Sequence, residues 1–234
     1  MSKTRLFKAI KALDADAVAA LLEADPGLVG SVDDRRRNPL HFLCGLPTDG
    51  KRTTASLAIA RRLLKAGINV NAPAFLEGAF QATPLWYSIS RGENLPLARF
   101  LLDSGSTPEN SLWAAAFAEN LEAIDLLVKR GARVDPVTED ETPFLTAIKW
   151  SRFKGAARML HHGADVNFQN SKGLTALHLV LKKNSDRRHV EMLLRHGADP
   201  TLRSKDGKSP MDLVARRRDK TYLNLFLSSR AHRG

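Results

Sequence analysis

Apolar residues recur along this chain in short helical bursts, each closed by a glycine. Leu63-Leu64, Leu101-Leu102, Leu126-Leu127, Met159-Leu160 and Leu193-Leu194 run into Gly67, Gly105, Gly131, Gly163 and Gly197. The paired residues predict the buried stripe of a helix, and the glycine accepts the left-handed conformation that stops it. A second signal precedes each burst and recurs once after the last: Asn38-Pro39-Leu40-His41, Thr83-Pro84-Leu85-Trp86, Ser111-Leu112-Trp113, Thr142-Pro143-Phe144, Thr175-Ala176-Leu177-His178 and Ser209-Pro210-Met211-Asp212. A Thr or Ser here caps a helix with its hydroxyl, and a following Pro loses only an amide that lacks a helical partner. Between stop and start, Asn170-Ser171-Lys172-Gly173 and Ser204-Lys205-Asp206-Gly207 read as tight turns. The N-terminus gives one stripe from Leu6, Phe7, Ile10 and Leu13 and another from Val18, Leu21 and Leu22, with Asp14 or Asp16 as the cap between them. At the other end Met211, Leu213 and Val214, then Tyr222, Leu223, Leu225 and Phe226, form a closing pair. The pattern predicts seven helix pairs within residues 4–228: 4–32, 38–70, 83–107, 111–134, 142–166, 175–200 and 209–228.

The spacing is regular, 33 residues from Pro143 to Ala176 and 34 from Ala176 to Pro210. This period and the two signatures resemble the ankyrin repeat, a β-turn followed by two antiparallel helices. The resemblance implies an all-α solenoid with projecting β-turn fingers, whose end pairs cap a core completed by stacking. It also implies that His41 and His178 are structural hydrogen-bonding groups and that Asp165 and Asp199 form turns. Two irregularities interrupt the row. Gly67 to Thr83 spans 16 residues against 12 from Gly163 to Thr175, and the added finger carries Phe75, Leu76 and Phe80. That trio reads either as an apolar protein contact or as a fold-back over the enlarged segment Gly45 to Thr54. Gly105 to Ser111 is too short for a finger, which predicts a gap.

The 234 residues contain no linker-like stretch, so the whole chain, 1–234, reads as a single elongated repeat domain, monomeric when free. There is no apolar run long enough to span a membrane, and Lys3, Arg5, Lys8 and Lys11 are not followed by the apolar core of a secretory signal. A cytoplasmic protein is the expectation. The single cysteine, Cys44, excludes an internal disulfide and reads as core packing. His161, His162 and His196 fall in last helical turns, where a partly charged ring complements the helix dipole. No carboxylate obviously converges on them, and no catalytic motif, metal set or cofactor fingerprint is present.

Charge changes the picture. Residues 1–148 hold 17 Lys and Arg against 18 Asp and Glu, whereas residues 149–234 hold 19 against 7. At the exposed ends of the last three first-helices stand Lys149-Trp150, Lys182-Lys183 and Arg216-Arg217, and the finger tips add Lys172, Arg203, Lys205 and Lys208. Neighbouring helices pack about 8 to 10 Å apart, so these residues predict a cationic ladder with an aromatic at one end. Trp and Arg dominate interface energetics, which makes Trp150 the natural anchor. The expected function is a non-enzymatic protein-interaction module gripping an acidic protein partner. The runner-up is nucleic-acid or polyanion binding through the same surface, opposed by the shortage of stacking aromatics. In composition the chain is similar to bacterial ankyrin proteins, which include cytosolic adaptors, toxin-neutralising immunity proteins and host-directed effectors.

Overall fold

The structure is a computed structural model that describes residues 2–47, 49–75, 81–108, 110–215 and 220–231. The chain groups into two compact units, residues 1–114 with 129–132, and residues 115–128 with 133–234.

In the first unit, α1 (Ser2–Ala12) and α2 (Ala15–Ala24) form the N-terminal pair, and a single 3-10 turn follows at Pro26–Gly30. Leu6, Ile10 and Val18 are completely buried between and beneath the two helices. Of the two carboxylates offered as caps, Asp14 accepts the Ala17 N–H at 2.9 Å, while Asp16 bonds Arg62. Next come α3 (Pro39–Cys44), α4 (Gly50–Lys65), a two-residue antiparallel pair β1 (Ala74–Phe75) and β2 (Gln81–Ala82), then α5 (Pro84–Ser90) and α6 (Leu95–Asp103). Asp49 accepts the Arg52 N–H and starts α4 at Gly50, so the segment expected to run as loop to Thr54 is already helical there. The enlarged finger is a hairpin in register Ala74↔Ala82 and Phe75↔Gln81. Leu76, Phe80 and the Phe75 side chain lie outside the described residues, as does any contact they make.

Helices α7 (Ser111–Phe117) and α8 (Leu121–Lys129) contribute residues to both units. The second unit continues with α9 (Pro143–Lys149), α10 (Phe153–His161), α11 (Ala176–Lys182), α12 (Arg187–Arg195), α13 (Pro210–Ala215) and α14 (Lys220–Ala231). Thr142 accepts the Leu145 N–H at 3.1 Å, and Ser209 accepts the Asp212 N–H at the same distance, as hydroxyl caps should. Gly131, Gly163 and Gly197 have φ between 84° and 89°, the left-handed conformation that ends α8, α10 and α12. Each second helix thus turns back toward the next first helix. Phe144, Leu145, Ile148, Met159, Leu177, Val190, Leu193 and Phe226 are at most 1 % exposed and form the shared core. Truncating any one of these to Ala removes roughly 2–5 kcal/mol.

Successive finger turns of this unit are tied through backbone N–H groups. Ser171 N–H donates to the Asp140 carboxylate at 2.6 Å, and Lys205 N–H donates to the Lys172 carbonyl at 3.0 Å. A Cβ on Gly173 would stand 3.0 Å from both the Lys205 nitrogen and the Ser204 Cα, so this close approach needs glycine.

Candidate docking surface

The ends of three first-helices supply the site, and each is exposed because the buried run of its helix ends at the residue just before it, Ala116, Ile148 and Leu181. Lys149 closes α9, and Trp150 follows it as a 59 % exposed indole. Phe117 closes α7 and is 44 % exposed, with its ring centroid 6.2 Å from Trp150 in an edge-to-face arrangement. Arg152 lays its guanidinium 4.6 Å from the centre of the Phe117 ring. Two aromatic faces open to solvent are therefore contiguous with a half-buried cation.

On the next rung, Lys183 caps α11 and donates its ammonium to the Lys149 carbonyl and, at 3.0 Å, to the Ser151 hydroxyl. A cation at this carbonyl complements the negative end of α9. Lys182 beside it is exposed and has no carboxylate partner among the described residues. Lys149 does have one: Glu141 reaches its ammonium at 2.6 Å and also accepts the Thr146 hydroxyl at 3.0 Å. Glu141 comes from the finger turn before α9, so that finger and the exposed end of α9 share one side. The pair offsets the charge of Lys149, as the sequence reading had not anticipated.

The finger cations divide in the same way. Lys172, Lys205 and Lys208 are exposed, and Lys172 and Lys205 sit on turns joined by their backbones. Arg203 instead folds onto its own turn, donating to the Gly207 carbonyl and to Asp212 at 3.0 Å. Arg216 and Arg217 lie outside the described residues. Lys149, Trp150 and Lys183 are thus brought together, with Lys182 adjoining. Phe117 and Arg152 complete the cluster and were missed by the sequence reading. Phe117 stands one position before the helix-end pair used to read the other rungs. Its only signal is a bulky ring at the end of an alanine-rich helix.

The histidines take structural places. His41 Nε2 lies 3.2 Å from the Ala82 carbonyl, and burial lowers its pKa to about 4. His178 Nδ1 accepts the Thr175 N–H at 3.1 Å, while Nε2 donates to the Lys208 carbonyl at 3.0 Å. Burial is also the main cause of the lowered pKa of His178. One expectation is corrected at one of the last-turn histidines: a carboxylate does converge on His162, because Asp125 of α8 lies 2.6 Å from its Nε2 and 3.2 Å from Arg158. The partner comes from the preceding repeat, 37 residues away, and only stacking brings it near. No group of three His, Cys, Asp or Glu side chains arranged to hold a metal occurs among the described residues. Cys44 is buried, and burial pushes its thiol pKa well up, which removes its nucleophilic form. No described helix is long and apolar enough to cross a membrane.

Comparison with known proteins fits this geometry. Residues 159–214 match the family model for ankyrin repeats (many copies). Over 140 residues the chain is 28 % identical to the phosphocholine transferase AnkX of Legionella pneumophila, a stretch covering 55 % of this chain but 14 % of that protein. Among solved structures it resembles the ankyrin repeat domain of Bcl-3, a member of the IkappaB protein family, with a TM-score of 0.76, 23 % identity and coverage of 95 % of this chain and 97 % of that one. The human ASB11 ankyrin repeat domain gives a TM-score of 0.72 at 22 % identity, covering 96 % of each chain. Ankyrin repeats generally mediate protein–protein interaction through the surface that stacking creates. Residues 159–214 belong to the ankyrin-repeat family, and the chain as a whole has the ankyrin-repeat fold.

Proposed function

We propose that this chain is a non-enzymatic docking module that binds a protein partner carrying an acidic surface. The exposed pair Trp150 and Phe117 supports this reading, because two large rings held edge to face in water have no role in the core of their own unit. Burying them against a partner supplies apolar energy at the centre of the contact. Lys182, Lys183, Lys172, Lys205 and Lys208, with Arg216 and Arg217 as further candidates, set the sign of the surface around it. Lys149 and Arg203 contribute less charge, since Glu141 and Asp212 already pair with them. Such an arrangement draws affinity from aromatic anchors and selectivity from charge. The transferase activity named for AnkX belongs to a protein of which this chain spans 14 %, and the docking reading needs none of it.

The test is an affinity capture of partners from the source cells with wild type, Trp150→Ala and Lys182→Glu/Lys183→Glu, each with and without nuclease. The expected result is a protein retained by wild type, lost by both variants and indifferent to nuclease. Equal retention by all three removes this surface from the function. Loss on nuclease treatment replaces the protein partner with a nucleic acid.

A further inference from the structure

Four residues after three of the helix-stopping glycines stands a side chain that ties one repeat to the next. Asn71 follows Gly67: its Oδ1 accepts the Thr107 N–H at 2.9 Å and its Nδ2 donates to the Gly105 carbonyl at 3.0 Å. Asn167 follows Gly163 and does the same, accepting the Asp199 N–H at 2.7 Å and donating to the Gly197 carbonyl at 3.1 Å. In both, the amide oxygen meets the N–H two residues beyond a glycine, and the amide nitrogen meets that glycine's own carbonyl.

After Gly131 the equivalent residue is Asp135. Its Oδ2 accepts the Asp165 N–H at 2.8 Å, again two residues beyond a glycine, Gly163. The register therefore places Oδ1 where the asparagines carry their NH₂, toward the Gly163 carbonyl. Oδ1 is buried and has no hydrogen-bond partner among the described residues. An ionised carboxylate there sets one acceptor against another out of reach of water, an arrangement that loses a hydrogen bond and keeps the desolvation cost.

We propose that Asp135 carries a proton on Oδ1 and donates it to the Gly163 carbonyl, forming a pH-dependent latch between adjacent repeats of the second unit. The environment agrees. Burial raises the pKa of Asp135, the hydrogen bond from the Asp165 N–H opposes that by lowering it, and the carboxylate of Asp165, on the turn after α10, raises it by repulsion, so that the balance stands above the ordinary value. Arg133, on the same segment as Asp135, is exposed, and no ion pair to Asp135 occurs among the described residues. A carboxyl whose folded pKa lies above its unfolded value binds its proton more tightly when folded. Its stabilisation is complete below the unfolded pKa, near 3.8, and is lost as pH rises through the raised folded value. The latch is fastened in acid and weakened toward neutrality, independently of what docks on the Trp150 surface.

Two measurements on the full chain test it. The carboxyl carbon of Asp135, followed by NMR, titrates with a midpoint above 3.8, and Asp165→Asn lowers that midpoint. A wild-type midpoint at or below 3.8 overturns the proposal. Second, Asp135→Asn restores the donor at every pH, so its Tm exceeds that of wild type by on the order of 2–4 °C near pH 7.5 and converges with it near pH 4. A variant less stable than wild type at neutral pH, or a difference that ignores pH, also overturns it. So does calcium raising the Tm of wild type but not of Asp135→Asn, since a cation and not a proton would then fill the place.

Discussion

The ring of His178 shows how one proton can be fixed by its neighbours. Nδ1 receives the Thr175 N–H and Nε2 gives its proton to Lys208, so the neutral Nε2–H tautomer satisfies both partners. A second proton on Nδ1 would point at another donor. The folded pKa lies below the ordinary 6.5, with burial the leading cause. Unfolded chains therefore take up this proton first, and stability falls as pH drops below about 6.5 and on through the lowered folded value. An imidazole NMR titration of His178 should show a midpoint below 6.5 with the Nε2–H tautomer at neutral pH; a midpoint above it would contradict the assignment. The structural place of this ring was implied by the family resemblance at Thr175-Ala176-Leu177-His178, and its Nε2 partner is a backbone carbonyl, which any residue at position 208 supplies. The pairs His162 with Asp125 and Phe117 with Trp150 were not. Each joins residues more than thirty positions apart, and a single repeat carries no record of which side chain its neighbour will bring.

At the scale of the helix, starts and stops were legible for the same reason that they work: caps and glycines act within a turn of themselves. Close approaches between helices are another matter. Gly155 sits in α10, where its local sequence suggests only a weak helix position. A Cβ there would come 2.2 Å from the Ala116 carbonyl oxygen and 3.2 Å from its Cα. The obstacle is backbone at the end of α7, so no side-chain rotation relieves it. Gly155→Ala gains about 1 kcal/mol of helix propensity and should nonetheless destabilise the protein by about 3 kcal/mol or more. Urea unfolding reads the balance, and an unchanged or raised midpoint would mean that α10 shifts freely. Gly67→Ala is the instructive contrast. Its site is open, but φ is +87°, so the cost there is backbone strain alone. Glu119 adds another cross-repeat dependence: its carboxylate accepts the Lys154 N–H at 2.7 Å and so serves the start of α10, which has no side-chain cap of its own.

For the whole molecule, the uneven charge of the sequence is a fact of composition, and the folded chain decides how much of it remains available. Residues 149–234 hold 19 Lys and Arg against 7 Asp and Glu. Several of these cations are already engaged: Arg187 with Glu191, Arg188 with Asp186, and Arg203 with Asp212. Exposed pairs of this kind add little stability, yet each lowers the field a partner meets. Lys172, Lys182, Lys205 and Lys208 remain without a carboxylate among the described residues. A surface with few open cations around two exposed rings should bind with an apolar centre and a modest electrostatic rim. Salt then separates the two partner classes. A nucleic acid held through six or more phosphates loses about 10³–10⁵ in affinity between about 50 and 200 mM salt, whereas a protein partner docked on Trp150 should lose roughly tenfold or less, as rim charges are screened. Trp150→Ala should weaken that complex about 30-fold at every salt concentration, the loss of a hot-spot side chain worth about 2 kcal/mol. Lys182→Glu/Lys183→Glu should instead slow association and flatten or invert the salt response. Titrations of the three proteins across salt decide the matter, and a steep log-linear fall for wild type, with Trp150→Ala unaffected, would assign the surface to a polyanion.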